Sequence, residues 1–365
     1  MSVSVDLLTL SSSQMGNFLE GLGWPRYRTS QVLRWLYQHG VTDVDSMTDL
    51  SKKDRRTLAE RASISVLKTT EIRAAQDGTR KFFFALDDGA SVESVLIPDH
   101  DRLTLCLSTQ VGCTLDCVFC LTGRMGLLRN LKSHELVGQV LGVQRELGQQ
   151  ALTNLVLMGM GEPLANFEAV EESVRRMTNH QWGLGFSPRR ITLSTAGLAS
   201  RMTRVADIGI NLAVSLNATT EAQRARLMPA ANQVSSLKTL LDACRKYPLK
   251  SHQRLTFEYV LLKDENDSEQ DALRLANLVR NIRCKINLIP FNEFSGSPLR
   301  RPSDETTLWF QSILTGRGLD VFIRKSKGRE VLGACGQLGS FSSGLLQPQR
   351  DQARPSALEP ALASS

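Results

Sequence analysis

The chain has 365 residues, of which 41% are hydrophobic and 22% charged, with a formal net charge of +7. These proportions are ordinary for a soluble globular protein, and the basic balance weakly favours an anionic partner such as nucleic acid. No stretch approaches the roughly 18 apolar residues of a membrane span, and the N-terminus lacks the pattern of a signal peptide, so we expect a cytoplasmic protein that does not engage a membrane.

The two ends of the chain differ in pattern from its middle. Residues 1–62 predict a small helical domain, because apolar residues recur at helical spacing in QVLRWLYQHG and LSKKDRRTLAERA. Residues 63–99 predict a β-hairpin or meander, because TRKFFFAL and ASVESVLIP are rich in aromatic and β-branched residues and are separated by a turn. Residues 343–365 are polar and rich in Pro, Ala and Ser, which predicts a disordered tail.

Between these segments, residues 100–342 alternate strand and helix patterns. The strand candidates are LTLCLST, TNLVLMG, RRITLST, NLAVSLN, RLTFEYVLL, KINLIP and LDVFIR. Such alternation implies parallel strands joined by right-handed crossovers. The predicted fold class is therefore α/β, a partial or full (β/α) barrel with a small N-terminal helical domain and a short β-hairpin extension. A doubly wound sheet is the alternative. Barrels of this kind place their chemistry at the carboxyl ends of the strands.

The seven cysteines do not suggest a disulfide framework, because their number is odd and the chain has no signal peptide. In a reducing compartment, clustered cysteines more often serve metals or catalysis. Cys244 and Cys284 sit among apolar neighbours and are expected to be small buried hydrophobic residues.

The central motif is Cys113-Thr-Leu-Asp-Cys117-Val-Phe-Cys120. Three thiolates this close can each bind one iron of a [4Fe–4S] cluster and leave the fourth iron open. Phe119 can shield such a cluster. The alternative is a zinc site, which lacks a fourth ligand nearby; His134 is the nearest candidate.

A wider set of motifs carries a family resemblance. The CxxxCxxC motif after the first barrel strand resembles the signature of the radical S-adenosylmethionine superfamily. CLSTQVGCTLDCVFCLTG is similar to the RlmN/Cfr family of ribosomal RNA adenine methyltransferases. GMGEPLAN, RRITLSTAG, AVSLNA, INLIPFNEF and ACGQL follow in the family's order, so the resemblance covers nearly the whole chain from Arg26 to Leu338. It is closest to the C2-methylating branch of the family.

The resemblance implies a radical S-adenosylmethionine core with a [4Fe–4S] cluster on Cys113, Cys117 and Cys120. It also implies two molecules of S-adenosylmethionine per turnover. The positions that match the family's S-adenosylmethionine contacts are Gly161, Glu162, Pro163, Ser194, Ser215, Leu216, Asn217 and Asn292. Glu162 suits this role because a carboxylate accepts hydrogen bonds from an ammonium group or a ribose hydroxyl. Asn217 departs from the family, which usually has His there.

Three catalytic residues are implied by the same resemblance. Cys335 matches the cysteine that carries the methyl group, and Cys106 matches the cysteine that later attacks its sulfur. That attack leaves a disulfide, which an outside reductant must reset. Glu93 matches the family's proposed proton acceptor.

The implied substrate is RNA, namely 23S ribosomal RNA and the adenosine next to the anticodon in some transfer RNAs. Basic and aromatic residues interleave in the N-terminal segment, which suits phosphates and stacked bases, although a solvated helix face is the simpler interpretation. They are Trp24, Arg26, Tyr27, Arg28, Arg34, Trp35, Lys52, Lys53, Arg55 and Arg56. Four further basic residues precede Cys335 and could hold phosphates at the mouth of the site: Arg324, Lys325, Lys327 and Arg329.

Two alternatives remain open from the sequence. A Cfr-like enzyme would methylate C8 of the same base with the same motifs. A non-catalytic iron–sulfur RNA-binding protein would need neither Cys106 nor Cys335, so their presence argues against it. For partners we expect RNA and an electron-donating reductant protein, and for the protein itself a monomer.

Overall fold

The computed structural model describes residues 4–148, 150–251 and 253–339. The predicted tail, residues 343–365, lies outside them. The strands are numbered in chain order. They are β1 Val5–Asp6, β2 Ala62–Ser63, β3 Lys68–Ala74, β4 Arg80–Ala85, β5 Ser91–Asp99, β6 Arg102–Cys106, β7 Gln110–Gly112, β8 Leu127–Asn130, β9 Asn154–Leu157, β10 Ile191–Thr195, β11 Asn211–Ser215, β12 Leu255–Leu261, β13 Cys284–Pro290 and β14 Val321–Ile323.

The α-helices are numbered in the same way. They are α1 Ser12–Gly21, α2 Tyr27–Tyr37, α3 Lys52–Arg61, α4 Leu121–Met125, α5 Ser133–Leu147, α6 Phe167–Thr178, α7 Thr203–Asp207, α8 Glu221–Leu227, α9 Pro229–Val234, α10 Leu237–Lys246, α11 Glu269–Val279 and α12 Asp304–Gly316.

One large sheet organises the fold. Its strand order is β14-β13-β12-β11-β10-β9-β6-β5-β4-β3. The seven strand candidates of the alternating region are all present, as β6 and β9 to β14, and they pair in parallel with one another. These strands follow one another in chain order without the switch point of a doubly wound sheet. The sheet ends at β14 on one side and β3 on the other, so the predicted α/β barrel is confirmed in its partial, open form.

The predicted β-meander is present and continues this sheet. Strands β3, β4 and β5 are antiparallel, and β5 pairs with β6. The register sets Val95 opposite Cys106 and Phe83 opposite Glu93. Residues 63–99 therefore form an extension of the barrel wall, and this wall positions two of the predicted catalytic side chains.

The N-terminal helices pack onto the barrel. Arg176 of α6 is 2% exposed and donates hydrogen bonds to the carbonyl oxygens of Leu8 at 2.7 Å and Leu10 at 3.1 Å. Its Nη1 also lies 3.1 Å from the hydroxyl oxygen of Tyr37 on α2. The helical prediction for residues 1–62 missed two short strands, β1 and β2, which pair in parallel and close this segment at its two ends. Their length of two residues leaves no periodic signal in the sequence.

A second pair of short strands, also missed from the sequence, flanks the cysteine motif. Strands β7 and β8 are antiparallel and enclose the loop that carries Cys113, Cys117 and Cys120. Gly112, at the end of β7, has φ +81°, and a Cβ atom there would lie 1.9 Å from the carbonyl oxygen of Gly126. The close approach of these two strands therefore requires glycine at this position.

Candidate active site

A cavity opens at the carboxyl ends of the parallel strands, where the fold predicts the chemistry. Most of the predicted cluster and S-adenosylmethionine residues line it: Cys113, Cys117, Cys120, Gly161, Glu162, Ser194, Ser215, Asn217 and Asn292. Cys335 lines it from the C-terminal loop. Pro163 and Leu216 are buried next to lining residues but are not themselves part of the wall. The structure thus brings together residues that lie more than 200 positions apart in the chain.

The three cysteines of the motif are held by α8 and α9. The backbone N–H of Val118 donates to the carbonyl oxygen of Leu227 at 3.0 Å, and that of Ala230 donates to Asp116 at 3.0 Å. Phe119, 8% exposed, packs in a small apolar cluster with residues of these helices. Phe119 thus packs beside the cysteine loop, and its shielding of a cluster remains a prediction.

The chemistry of this donor set fits an iron–sulfur cluster. Burial raises the pKa of all three thiols, and the charge of Cys120 raises the pKa of Cys113 and Cys117 further. Thiolates in such surroundings need cationic partners, which cluster irons supply. Within the described part of the chain, no three His, Cys, Asp or Glu groups converge on one ion-sized position. A [4Fe–4S] cluster binds each thiolate through a different iron.

A buried cation stands behind the cysteine loop. Arg224 of α8 is fully buried and donates to the carbonyl oxygens of Ala196 at 2.6 Å and Leu216 at 3.3 Å. Its Nε atom has no hydrogen-bond partner. Burial lowers the pKa of this guanidinium, and the charge of Cys117 acts in the opposite direction. A buried charge of this kind is stabilised by an opposite charge nearby. An anionic thiolate-bound cluster fits this requirement.

Glu162 organises the loops that follow β9 and β10. Its carboxylate accepts the backbone N–H of Leu164 at 3.0 Å and that of Ala196 at 2.8 Å. Its own N–H donates to the side chain of Gln110 at 2.9 Å, and a Cβ at Gly161 would meet the same side chain at 2.6 Å. Burial raises the pKa of Glu162, while the two backbone hydrogen bonds lower it. The carboxylate is therefore fixed in place and keeps lone pairs for a ligand.

The polar residues at the ends of β10 and β11 also face the cavity. The hydroxyl oxygens of Ser194 and Ser215 lie 3.2 Å apart. Asn217 follows β11 with φ +55°, and its Oδ1 accepts the backbone N–H of Val260 at 2.8 Å. Asn tolerates this left-handed conformation better than most residues. At this position, where the resemblance implies His, the side chain thus links two strand ends as well as lining the cavity.

The cavity also has two buried acceptors that lack partners. Asn292, 3% exposed, donates through Nδ2 to the carbonyl oxygen of Cys335 at 3.2 Å, and its Oδ1 has no hydrogen-bond partner. Glu258 of β12, 4% exposed, accepts from Asn287 at 3.0 Å through one carboxylate oxygen and has no partner for the other. Unpaired buried acceptors are uncommon in folded proteins. Two of them beside the cysteines fit a zwitterionic ligand with an ammonium group and hydroxyl donors.

The charge of Cys335 acts on two buried side chains, Cys106 and Arg324. Burial, with a smaller contribution from the charge of Cys335, raises the pKa of Cys106 to about 12, and the charge of Arg324 opposes this rise. The charge of Cys335 in turn raises the pKa of Arg324. All seven cysteines are free thiols in this structure, so the predicted disulfide is absent from this state.

Glu93 is buried, 3% exposed, and is not among the residues that line the cavity. Its carboxylate pairs with Lys81 at 2.7 Å, and its backbone carbonyl accepts from the hydroxyl of Ser108 at 2.5 Å. Lys81 and Glu258 are functional candidates that the sequence analysis missed. Glu258 lies in the middle of an apolar strand and Lys81 directly before three phenylalanines, and a charge in such a position is the signal that could have identified them.

A second cavity adjoins the first. It lies between the turn at Asp99 and His100 and the segment 323–327, and it shares Ile289, Asn292, Arg324 and Cys335 with the first cavity. Lys325 and Lys327 line it, and Lys327 lies 3.1 Å from the carboxylate of Asp99. Cys335 therefore stands between a cavity with cysteine and carboxylate groups and a cleft with basic groups.

No helix in the described ranges is long and apolar enough to cross a membrane.

The chain is similar to known proteins over most of its length. Residues 5–64 match the profile of the ribosomal RNA large subunit methyltransferase N-terminal domain, and residues 107–276 match the radical SAM superfamily. The dual-specificity RNA methyltransferase RlmN of Geobacter sulfurreducens is 49% identical over 339 residues, 93% of each chain. Its counterpart in Syntrophotalea carbinolica is 47% identical, over 96% of this chain and 95% of the relative. A crystal structure of a radical SAM methyltransferase from Sphaerobacter thermophilus aligns with a TM-score of 0.86 at 40% identity, covering 91% of this chain and 98% of the other.

Proposed function

The chain belongs to the RlmN family of radical S-adenosylmethionine methyltransferases, and on that basis we propose that it methylates C2 of adenine in RNA. The proposed substrates are 23S ribosomal RNA and transfer RNA next to the anticodon. The observation that carries the proposal is the position of Cys335, which lines both the cavity with the three cysteines and the basic cleft. A methyl carrier must reach a methyl donor on one side and a base on the other.

The first cavity would hold the cofactors. Cys113, Cys117 and Cys120 would bind a [4Fe–4S] cluster, and the unpaired acceptors of Asn292 and Glu258 would receive donors of S-adenosylmethionine. The remaining contacts would come from Gly161, Glu162, Pro163, Ser194, Ser215, Leu216 and Asn217. The cluster and S-adenosylmethionine, when bound, would supply a transferable methyl group and one-electron chemistry. Two molecules of S-adenosylmethionine would be used per turnover.

The chain's own residues would carry the methyl carbon to the base and release it. Cys335 holds the carbon through its sulfur while that carbon becomes bonded to C2. For this bond to form, one C–H bond of the sulfur-bound methyl group and the C2–H bond must break: the one-electron chemistry of the cofactors would remove a hydrogen atom from the methyl group and take up one electron, and Glu93 would take the proton lost from C2. Cys106 then attacks the sulfur of Cys335, so a sulfur–sulfur bond forms and the sulfur–carbon bond breaks. The released carbon takes up a proton and becomes the methyl group. An outside reductant protein restores the two thiols.

The basic cleft would admit the RNA. Arg324, Lys325 and Lys327 line it or border it, and an adenine must leave its stack to enter a buried site. Residues 1–62 would form an RNA-docking domain, because Arg34, Lys52, Lys53 and Arg56 are exposed there. Residues 63–99 would connect it to the catalytic barrel, residues 100–342. We propose a monomer that acts in the cytoplasm, where RNA and reduced thiols are found.

Mass spectrometry of nucleosides tests this function. RNA from cells with and without the protein is digested, and the methylated adenosines are identified. We expect 2-methyladenosine in both ribosomal and transfer RNA, dependent on Cys335. A cell with the Cys335→Ala variant is the matched control. Methylation at C8 would establish the Cfr-like alternative, and unchanged RNA would favour the non-catalytic RNA-binding protein.

A further inference from the structure

The segment that carries Cys335 is attached near both of its ends to one buried ion pair. Lys81 of β4 and Glu93 of β5 lie 2.7 Å apart, with side chains 0% and 4% exposed. The Nζ of Lys81 donates to the carbonyl oxygen of Leu332 at 3.1 Å. The carboxylate of Glu93 accepts the backbone N–H of Gly339 at 2.9 Å. Both ends of the segment 332–339, with Cys335 between them, thus bond to the same pair of charges, while Asn292 and Thr122 contact the segment between these ends.

The sheet itself does not require charges at these positions. Lys81 pairs across the strands with Val95, and Glu93 with Phe83, so the two charged residues contact each other diagonally. Burial lowers the pKa of Lys81, and the charge of Glu93 opposes that effect. Apolar residues of similar size could fill such a space without a loss of stability. Lys81 and Glu93 also hydrogen-bond to the backbone of Leu332 and Gly339. These two contacts distinguish the pair from one that only stabilises the sheet.

The backbone of the segment needs external support. Leu332 has φ +52°, a conformation that residues with side chains rarely adopt, and Gly336 and Gly339 have φ of +82° and +110°. On its other side the segment meets the cysteine loop, because Leu121 donates to the carbonyl oxygen of Gly336 at 2.7 Å. The position of the Cys335 sulfur between the two cavities thus depends on contacts from the barrel extension and from the cysteine loop.

We propose that Lys81 is a positioning residue, which together with the carboxylate of Glu93 forms an ion-pair clamp that holds the Cys335 segment over the cavity. This inference rests on the proposed function for the role of Cys335, but its geometry does not. Arg73 and Glu71 on β3 are charged groups whose fields reach Lys81, and they form an ion pair with each other at 2.6 Å.

The clamp also links proton uptake to movement of the segment. When Glu93 takes the proton from C2, its carboxylate becomes neutral while Lys81 keeps its own proton. The hydrogen bond from Gly339 then loses its charge-assisted character and weakens. Release of the segment and acceptance of the proton would be one event, which frees Cys335 to approach Cys106.

Hydrogen–deuterium exchange of the full-length protein with its cluster tests the clamp without RNA or turnover. The variants are Lys81→Met, which removes the charge, Lys81→Arg, which retains it, and Glu93→Gln, which keeps an acceptor but no charge. We expect exchange in peptides from residues 328–339 to increase about tenfold in Lys81→Met and Glu93→Gln, because the segment opens locally. Lys81→Arg should restore most of the protection, and peptides from β12 should not change.

Lys238→Met is the matched control, because Lys238 also forms a 2.7 Å ion pair, with Asp242, but is 84% exposed. Wild-type exchange of residues 328–339 in Glu93→Gln, together with loss of RNA methylation, would make Glu93 a proton acceptor only and overturn the clamp. If Lys81→Met failed to retain its cluster, the isosteric Glu93→Gln variant would decide the question. Faster exchange with no methyltransferase activity in the wild type would support the clamp and refute the proposed function.

Discussion

Replacing Cys106 with Ala should trap the protein covalently on its RNA. In the proposed reaction, Cys335 can still bond its carbon to C2, but no thiol remains to attack its sulfur. The variant should therefore accumulate an RNA–protein thioether through Cys335. The wild-type protein should show the same adduct only briefly, for as long as Cys106 remains protonated.

The raised pKa of Cys106 sets the expected pH dependence. With a pKa raised by burial to about 12, only a small fraction of the Cys106 thiol is ionised between pH 7 and pH 9. The reactive thiolate fraction rises with pH, so decay of the wild-type adduct should become about tenfold faster per pH unit between pH 7 and pH 9. Replacing Arg324 with Met removes a charge that lowers the pKa of Cys106 and should slow this decay.

Single-turnover reactions stopped in denaturant provide the assay. The adduct appears as a nuclease-sensitive shift on a denaturing gel, and its decay is followed at each pH. Cys244→Ala is the matched control, because Cys244 is also buried with a pKa raised to about 12, but the charges that act on it are those of Cys284, Arg245 and Arg224 rather than that of Cys335. Free methylated RNA from Cys106→Ala, or wild-type decay that does not vary with pH, would refute the role of Cys106 as the attacking thiol.

Three further predictions concern the cluster and the RNA. Anaerobically purified protein should be brown with about four irons per chain, and Ala at Cys113, Cys117 or Cys120 should remove both colour and iron; a colourless protein with one bound zinc would contradict this. Gly112→Ala should lower the iron content, because its Cβ would lie 1.9 Å from the carbonyl oxygen of Gly126. Gly148→Ala is the control and should leave the iron content unchanged, because Gly148 also has a positive φ but a Cβ there would meet no atom within 4 Å. Replacing Lys52, Lys53 and Arg56 together with Gln should reduce the slope of log affinity against log salt by about 2 to 3, since each phosphate contact contributes about 0.7 to 0.9; an unchanged slope in binding titrations would show that α3 does not contact RNA.

The parallel part of the fold was predictable because each of its strands is a compact apolar run followed by polar residues. Segments such as NLAVSLN and KINLIP are buried in the sheet and keep this pattern along their whole length. The pairs β1–β2 and β7–β8 were missed because strands of two to four residues carry no period. Their partners are decided by the packing around them, which the sequence does not display.

The residues of the candidate site were also predictable only in part. Residues at strand ends, such as Ser194 and Asn292, were predictable because parallel strands bring their carboxyl ends together. The burial of Glu93 and its contact with Lys81 were not predictable, because the register of the antiparallel strands decides which face of the extension each side chain occupies. Glu258 was overlooked because RLTFEYVLL was interpreted only as a strand.

The distance along the chain between the partners of the clamp has a consequence for folding. Lys81 and Leu332 are 251 positions apart, and Glu93 and Gly339 are 246 apart. The three cysteines of the motif, in contrast, lie within eight consecutive residues. Contacts of long sequence separation form late, because the intervening chain must first be ordered. A nascent chain can therefore bring its three clustered cysteines together well before Cys335 docks beside them, so the segment that carries Cys335 is the last part of the candidate site to take its place.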